Sequence, residues 1–313
     1  MDQQLTGKPG GNISPKSGVE SFRTECLWAG PALLGESPVW DPRSQRLFWI
    51  GCLEKKIWSA EADGGDVCEW DIPDTLGSIG LCEDGRLIAG LAGGFAFIDL
   101  SSDEAAIEWI GNPEPELNTR LNDGKVDRQG RFWCGSLSMD FTSPAAALYR
   151  LDTDLSWHRM DTGITVSNGI AFSADGRRLY FSDSRIDQSH QYELDPETGA
   201  LGERLPFIDT GKYAGRIDGA TVDAAGNYWG ALFDGGAVGC FSPQGDLLRL
   251  VDVPVKCPTM CTFGGPDMGT LFVASATFTM SDEEIAAEEQ AGGLFAIYGL
   301  GARGIPEPCF AGR

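Results

Sequence analysis

The stretch VWDPRSQRLFWIG, residues 39–51, holds the pattern that decides the fold: an apolar run, an acidic turn, then a run rich in aromatics. It returns as GLCEDGRLIAGL (80–91), KVDRQGRFWCGS (125–136), AFSADGRRLYFSDS (171–184), TVDAAGNYWGAL (221–232) and TFGGPDMGTLFVASA (262–276). The turn aspartates Asp41, Asp84, Asp127, Asp175, Asp223 and Asp267 are separated by 43, 43, 48, 48 and 44 residues. Each unit reads as a hairpin around a D-x-x-G or similar turn. The intervening stretches have room for one or two further strands, and ALYRLD (147–152) and HQYELD (190–195) read as third strands. Four strands in about 40–50 residues make one blade of a propeller. Six units therefore predict an all-β, six-bladed β-propeller around a central channel. GGLFAIYGL at 292–300 is expected to close the ring with a strand near Thr24–Trp28. A pair of packed sheets is the competing architecture, but it does not account for six similar periods. SDEEIAAEEQAGG (281–293) departs from the pattern, with a Ser-x-x-Glu start and a Gly stop, and reads as a short helix or acidic loop in the last blade.

Composition agrees with this reading. Gly is abundant at 42 residues, aromatics are 10%, and long helical periodicity is nearly absent, which favours strands joined by tight turns. A hydrophobic share of 42% is enough for a core. Residues 1–22, polar and rich in Gly, Pro and Ser, read as a flexible arm before a propeller domain at 23–313. The arm lacks the apolar centre of a signal peptide, so a cytoplasmic protein is expected. With 24 basic against 46 acidic residues and a net charge of −22, the chain repels phosphate backbones, and no window is dense in Lys or Arg. Nucleic acid is thus not an expected partner. Nor is a membrane, because no apolar run approaches the ~18–20 residues of a span. No obligate protein partner is indicated.

The nine cysteines contain no CxxC pair and read as buried reduced thiols. His158 and His190 lie on separate segments and cannot build a histidine-rich zinc site. No G-x-S-x-G elbow supports a serine nucleophile.

Counting back eight positions from the hairpin turn residues Ser44, Gly130, Gly176 and Gly226 gives Glu36, Asn122, Asn168 and Asp218. The same count from Gly85 gives Gly77, so the second blade adds no such side chain. Equivalent positions of successive blades lie at one height around the channel. Four blades would thus aim oxygen donors at one axial point. Each residue alone reads as a turn former or a surface group; the shared register points to a site. Two carboxylates with amide oxygens suit a hard divalent cation. Without one, Glu36 and Asp218 would repel each other.

GESPVWDPRSQRLFWI, RLNDGKVDRQGRFWCG, SNGIAFSADGRRLYFSDS, DGATVDAAGNYWGAL and PTMCTFGGPDMGTLFV resemble the senescence marker protein, regucalcin and gluconolactonase family, in the same order from about Cys26 to the C-terminus. The resemblance implies a six-bladed propeller with a central metal site that hydrolyses sugar lactones with one divalent cation. It places metal ligands at Glu36, at Asn168 of S-N-G and at Asp218 of D-G. It places substrate-binding residues at Arg120 and Asn122 of R-L-N-D-G-K. The chain departs from the family pattern at Gly51, usually Asp, and at Ile217, usually Pro and here preceded by Arg216. Both departures bear on the substrate pocket rather than the metal set.

The expected activity is that of a lactonase, a carboxylic ester hydrolase opening aldonolactones to sugar acids. A cation held by Glu36, Asn168 and Asp218 would serve as Lewis acid, with Asp218 as candidate general base and Arg120 and Asn122 holding sugar hydroxyls. Calcium is the expected cation; zinc, manganese, magnesium and iron(II) are alternatives. The rival readings are a propeller hydrolase for phosphotriesters or non-sugar lactones, and a calcium-binding propeller without catalysis.

Overall fold

Each repeat is built on its turn aspartate. In a computed structural model describing residues 22–30 and 32–312, all six accept a hydrogen bond from the backbone N–H two residues on, at 2.9–3.1 Å. Asp127 and Asp223 do more. Asp127 also takes the Trp133 indole N–H at 2.8 Å, and Asp223 that of Trp229 at 2.9 Å. Gly130 and Gly226 follow with φ of 81° and 87°, a conformation that a side chain would strain. The aspartate therefore fixes the hairpin end and anchors the aromatic of the second strand.

Six four-stranded antiparallel sheets result, with innermost strands Gly35–Asp41, Leu76–Leu81, Thr119–Val126, Ser167–Phe172, Arg216–Val222 and Pro258–Gly264, which begin blades I to VI. The predicted six-bladed β-propeller is thus the observed fold. The expected third strands appear as Ala146–Leu151 and Gln188–Glu193. Arg23–Trp28 pairs antiparallel with Leu294–Tyr298, Thr24 opposite Ile297, so the two ends of the domain share blade VI and close the ring. Within that blade Asp282–Ala287 forms the expected short helix, capped reciprocally by Ser281 and Glu284. Of the arm expected at 1–22, only Phe22 lies among the described residues.

Blades bury their faces on one another. Phe95 of blade II meets Phe132 of blade III edge-on at 6.2 Å, and Trp229 of blade V meets Phe263 of blade VI at 5.4 Å. Radial stacking thus replaces a single central core with six apolar seams.

The turn end of the channel is closed by the chain beyond Leu300, which the repeat pattern did not foretell. Ala224 N–H donates to Arg303 O, Gly304 N–H to Met268 O, Phe310 N–H to Leu81 O and Ala311 N–H to Gly130 O, at 2.7–3.0 Å. The tail thus ties blades II, III, V and VI. Its Glu307 carboxylate enters the channel and pairs with Lys125 Nζ at 2.9 Å, both side chains being about nine-tenths buried. Burial works against its ionisation, but Lys125 and Arg128 outweigh it and hold the carboxyl below the usual range. Glu307→Ala leaves Lys125 buried without its partner and is expected to cost about 3–5 kcal/mol in denaturant unfolding. Because the folded pKa is depressed, the contribution of Glu307 is present above the ordinary value of 4.5 and is lost as pH falls through the folded one. The stability gap between wild type and Glu307→Gln should therefore shrink below about pH 4.5; a gap independent of pH would show that the charge contributes nothing.

Candidate active site

The opposite end of the channel is the mouth. Strand pairing there is irregular in every blade at one level. The register slips between Glu36 and Val39, Leu76 and Ser78, Leu121 and Gly124, Asn168 and Ala171, Ile217 and Ala220, and Pro258 and Met260. Such bulges re-aim side chains that regular pairing would send into the sheet faces. Ser37 takes φ of 49° and Gly169 64° to make this turn. All four residues of the shared register sit at or inside these bulges, so the structure brings Glu36, Asn122, Asn168 and Asp218 to the same level.

A belt of hydrogen bonds joins three blades. Arg120 Nη1 donates to Asn122 Oδ1 at 2.9 Å and to Leu121 O at 3.0 Å. Asn122 Nδ2 donates to Asn168 Oδ1 at 3.0 Å and to Ser167 O at 2.9 Å. Asn168 Nδ2 donates to Ser184 Oγ at 2.8 Å, and Ser184 Oγ–H to Ile217 O at 2.9 Å, immediately before Asp218. Arg120 is therefore a member of this belt rather than part of a surface ion pair. No donor among the described residues pairs with the Asp218 carboxylate, and Glu36 receives only a long contact from Ser37 N–H at 3.4 Å.

Electrostatics follow from this placement. Burial pushes the Glu36 carboxyl well above the usual carboxylate range, and Asp218 and Asp123 push it further. Burial likewise raises Asp218, with Asp123 adding and Arg216 and Arg120 opposing. Burial lifts Asp123 to about 6, although its Oδ2 accepts the Ile170 N–H at 2.8 Å; its Oδ1 is buried with no partner.

Among the described residues, no group of three or more His, Cys, Asp or Glu is arranged to hold a metal. The mouth offers two carboxylates with neutral amides instead. This donor set still fits one divalent cation. Two carboxylates match its charge, and Asn168 Oδ1 has a second lone pair beside the one engaged by Asn122. A nearby double positive charge would also oppose the burial and the neighbouring carboxylates that raise both acids.

Sequence counting missed two parts of the mouth. Thr259 occupies the bulge of blade VI, but the longer Gly264–Gly269 turn offsets the count, and its hydroxyl is spent on Gly35 O. Asp123 stood in the quoted N-D-G run, yet nothing in that run signals full burial. The two departures have packing reasons. A Cβ at Gly51 would lie 2.5 Å from the Trp58 ring and 2.8 Å from Glu54 Oε2. Ile217 packs in the apolar seam with Tyr180 and Tyr228. His158 lies on the outer strand Trp157–Ile164, and His190 on Gln188–Glu193, a third strand of its blade, so neither is on an innermost strand. All nine cysteines are free; six are buried as expected, whereas Cys26, Cys68 and Cys309 are only partly buried.

Comparison with known proteins shows the family and the fold. The pattern of the SMP-30/Gluconolactonase/LRE-like region matches residues 34–277. The chain is 37% identical over 289 residues to 6-deoxy-6-sulfogluconolactonase of Pseudomonas putida, spanning 92% of this chain and 98% of that one. It is 35% identical over 266 residues to L-arabinolactonase of Azospirillum brasilense, spanning 84% and 87%. The solved structure of a calcium-binding regucalcin from Agrobacterium tumefaciens superposes with a TM-score of 0.87 at 28% identity, covering 92% and 97% of the two chains.

Proposed function

The chain belongs to the SMP-30/gluconolactonase/LRE-like family, and from that premise we propose that it is a lactonase opening sugar lactones to their acids with the aid of one divalent cation. The carrying observation is the delivery of Glu36, Asn122, Asn168 and Asp218 by four blades to one bulge level, where Asp218 and Asp123 add to the burial that favours the protonated form of Glu36. The names of the lactonase relatives support the substrate class.

Glu36, Asn168 and Asp218 are the proposed ligands. A cation bound there supplies Lewis-acid polarisation of the lactone carbonyl. All-oxygen ligation and the calcium-binding regucalcin relative favour calcium. Asp218 takes a proton from the attacking water. The water oxygen adds to the carbonyl carbon, the ring C–O bond breaks, and Asp218 returns the proton to the leaving ring oxygen. Arg120 and Asn122, fixed by the belt, hydrogen-bond the sugar hydroxyls and set the angle of attack. Nine free thiols support a cytoplasmic setting for this reaction.

A panel of sugar lactones, followed by acid release, tests the activity; no opening of any lactone by the metal-loaded protein would overturn it. Arg120→Ala and Asn122→Ala separate binding from ligation. Each is expected to reduce kcat/KM by about tenfold or more, while directly measured metal content stays near that of the wild type. Loss of the metal in either variant would mean that the ligands lie elsewhere.

A further inference from the structure

The mouth carries a cation that the mechanism does not use. Ser182–Ser184 close a strand at the mouth, since Ser167, at the start of the innermost strand of blade IV, pairs with Asp183. Arg185 follows Ser184, whose hydroxyl holds Asn168. Its guanidinium reaches across to blade III and sits 5.6 Å from the centre of the Phe141 ring. No carboxylate among the described residues forms an ion pair with it. The nearby Asp183 is buried, and its oxygens are taken by the N–H groups of Thr165, Val166 and Arg185 itself. Arg216 of blade V lies close enough that, after burial, it is the main cause lowering the affinity of Arg185 for its proton. Arg216 has a partner, Asp234 at 3.0 Å; Arg185 has only the ring.

The ring is placed deliberately. Phe141 stands in the left-handed region at φ 56°, a strained conformation for a bulky residue. Asp140 holds the turn by accepting hydrogen bonds from Ser138 Oγ and from the N–H groups of Thr142 and Ser143 at 2.8–3.0 Å. Met139, Phe141 and Ile186, next to the turn or to Arg185 in sequence, are each about two-fifths to one-half exposed. An arginine over an aromatic ring and without a carboxylate partner is free to meet an oxyanion. The net charge of −22 would otherwise repel any anionic substrate from the mouth.

We infer that Arg185, supported by Phe141, is a subsite for a negatively charged substituent of the lactone: a sulfonate, a phosphate ester or a carboxylate at the end of the sugar remote from the carbonyl. This rests on the lactonase reading and narrows it to anionic sugar lactones. Arg185 selects the substrate and takes no part in the proton transfer.

The test compares neutral gluconolactone with its 6-sulfo and 6-phospho counterparts and with a carboxylate-bearing lactone, using the metal-loaded full chain. Wild type should prefer at least one anionic lactone by about tenfold or more in kcat/KM, and the preferred anion identifies the substituent. Arg185→Ala should reduce the ratio of anionic to neutral kcat/KM by a similar factor, mainly through KM. Arg185→Lys should recover part of it, since it keeps charge without the planar stack. Equal use of neutral and anionic lactones by wild type, or an unchanged ratio in Arg185→Ala, overturns the subsite. If no lactone is opened, the lactonase reading fails. The subsite is then judged by calorimetric binding of 6-phosphogluconate and 6-sulfogluconate, where about tenfold weaker binding of at least one by Arg185→Ala upholds it and equal affinity for both overturns it.

Discussion

Asp218→Asn is expected to lower turnover by about a hundredfold or more at saturating cation, the scale of losing a general base. Asparagine keeps the size and one oxygen donor but cannot accept the proton. The Asp218 carboxylate is open to both tasks, because no donor among the described residues occupies its lone pairs, and a bound cation would oppose the burial that favours its protonated form. Glu36 and Asn168 remain to hold the cation, more weakly. Occupancy must therefore be measured directly, alongside single-turnover rates. Near-normal turnover at full occupancy would leave Asp218 as a ligand alone, and the proton would have to go elsewhere. Neither histidine lies on an innermost strand or belongs to the register that collects Glu36, Asn122, Asn168 and Asp218.

A strong chelator should abolish lactone opening, and a divalent cation should restore it. Removing the cation leaves the mutually repelling Glu36 and Asp218 to gain protons, which costs the site both its charge and its base. Glu36→Gln should reproduce much of this loss by weakening the cation's hold without unfolding the ring. Glu36 packs into no blade seam and makes one long hydrogen bond, so its circular dichroism spectrum and denaturation midpoint should stay close to wild type. Full activity after verified removal of the metal would refute the mechanism. Unfolding of Glu36→Gln would make Glu36 a structural residue.

The architecture was legible because it is repetitive. Six aspartate turns at similar spacing each encode the same local device, an acceptor for the backbone N–H two residues on, and local devices are written in contiguous residues. Closure by residues near Thr24–Trp28 and 292–300 could be foreseen for the same reason, since a blade short of one strand must find it at the other end of the chain. The shared level of Glu36, Asn122, Asn168 and Asp218 also followed from register alone, because position within a repeat becomes height in the ring.

What the sequence by itself determined, then, is the number of blades, the place of closure and the level of the site. Tertiary structure alone decided how the side chains at that level meet. The repeat does not say that Asn122 turns to Asn168, that Ser184 ties Asn168 to the carbonyl before Asp218, or that Asp123 lies buried beside them. It does not carry the tail, whose Glu307 meets Lys125 across 182 residues, nor the stacking of Arg185 on Phe141 from neighbouring blades. The physical reason is that hairpin turns are satisfied within a few residues. The groups around the channel are satisfied only across blades, where burial and mutual charge, rather than local spacing, set their partners and their protonation.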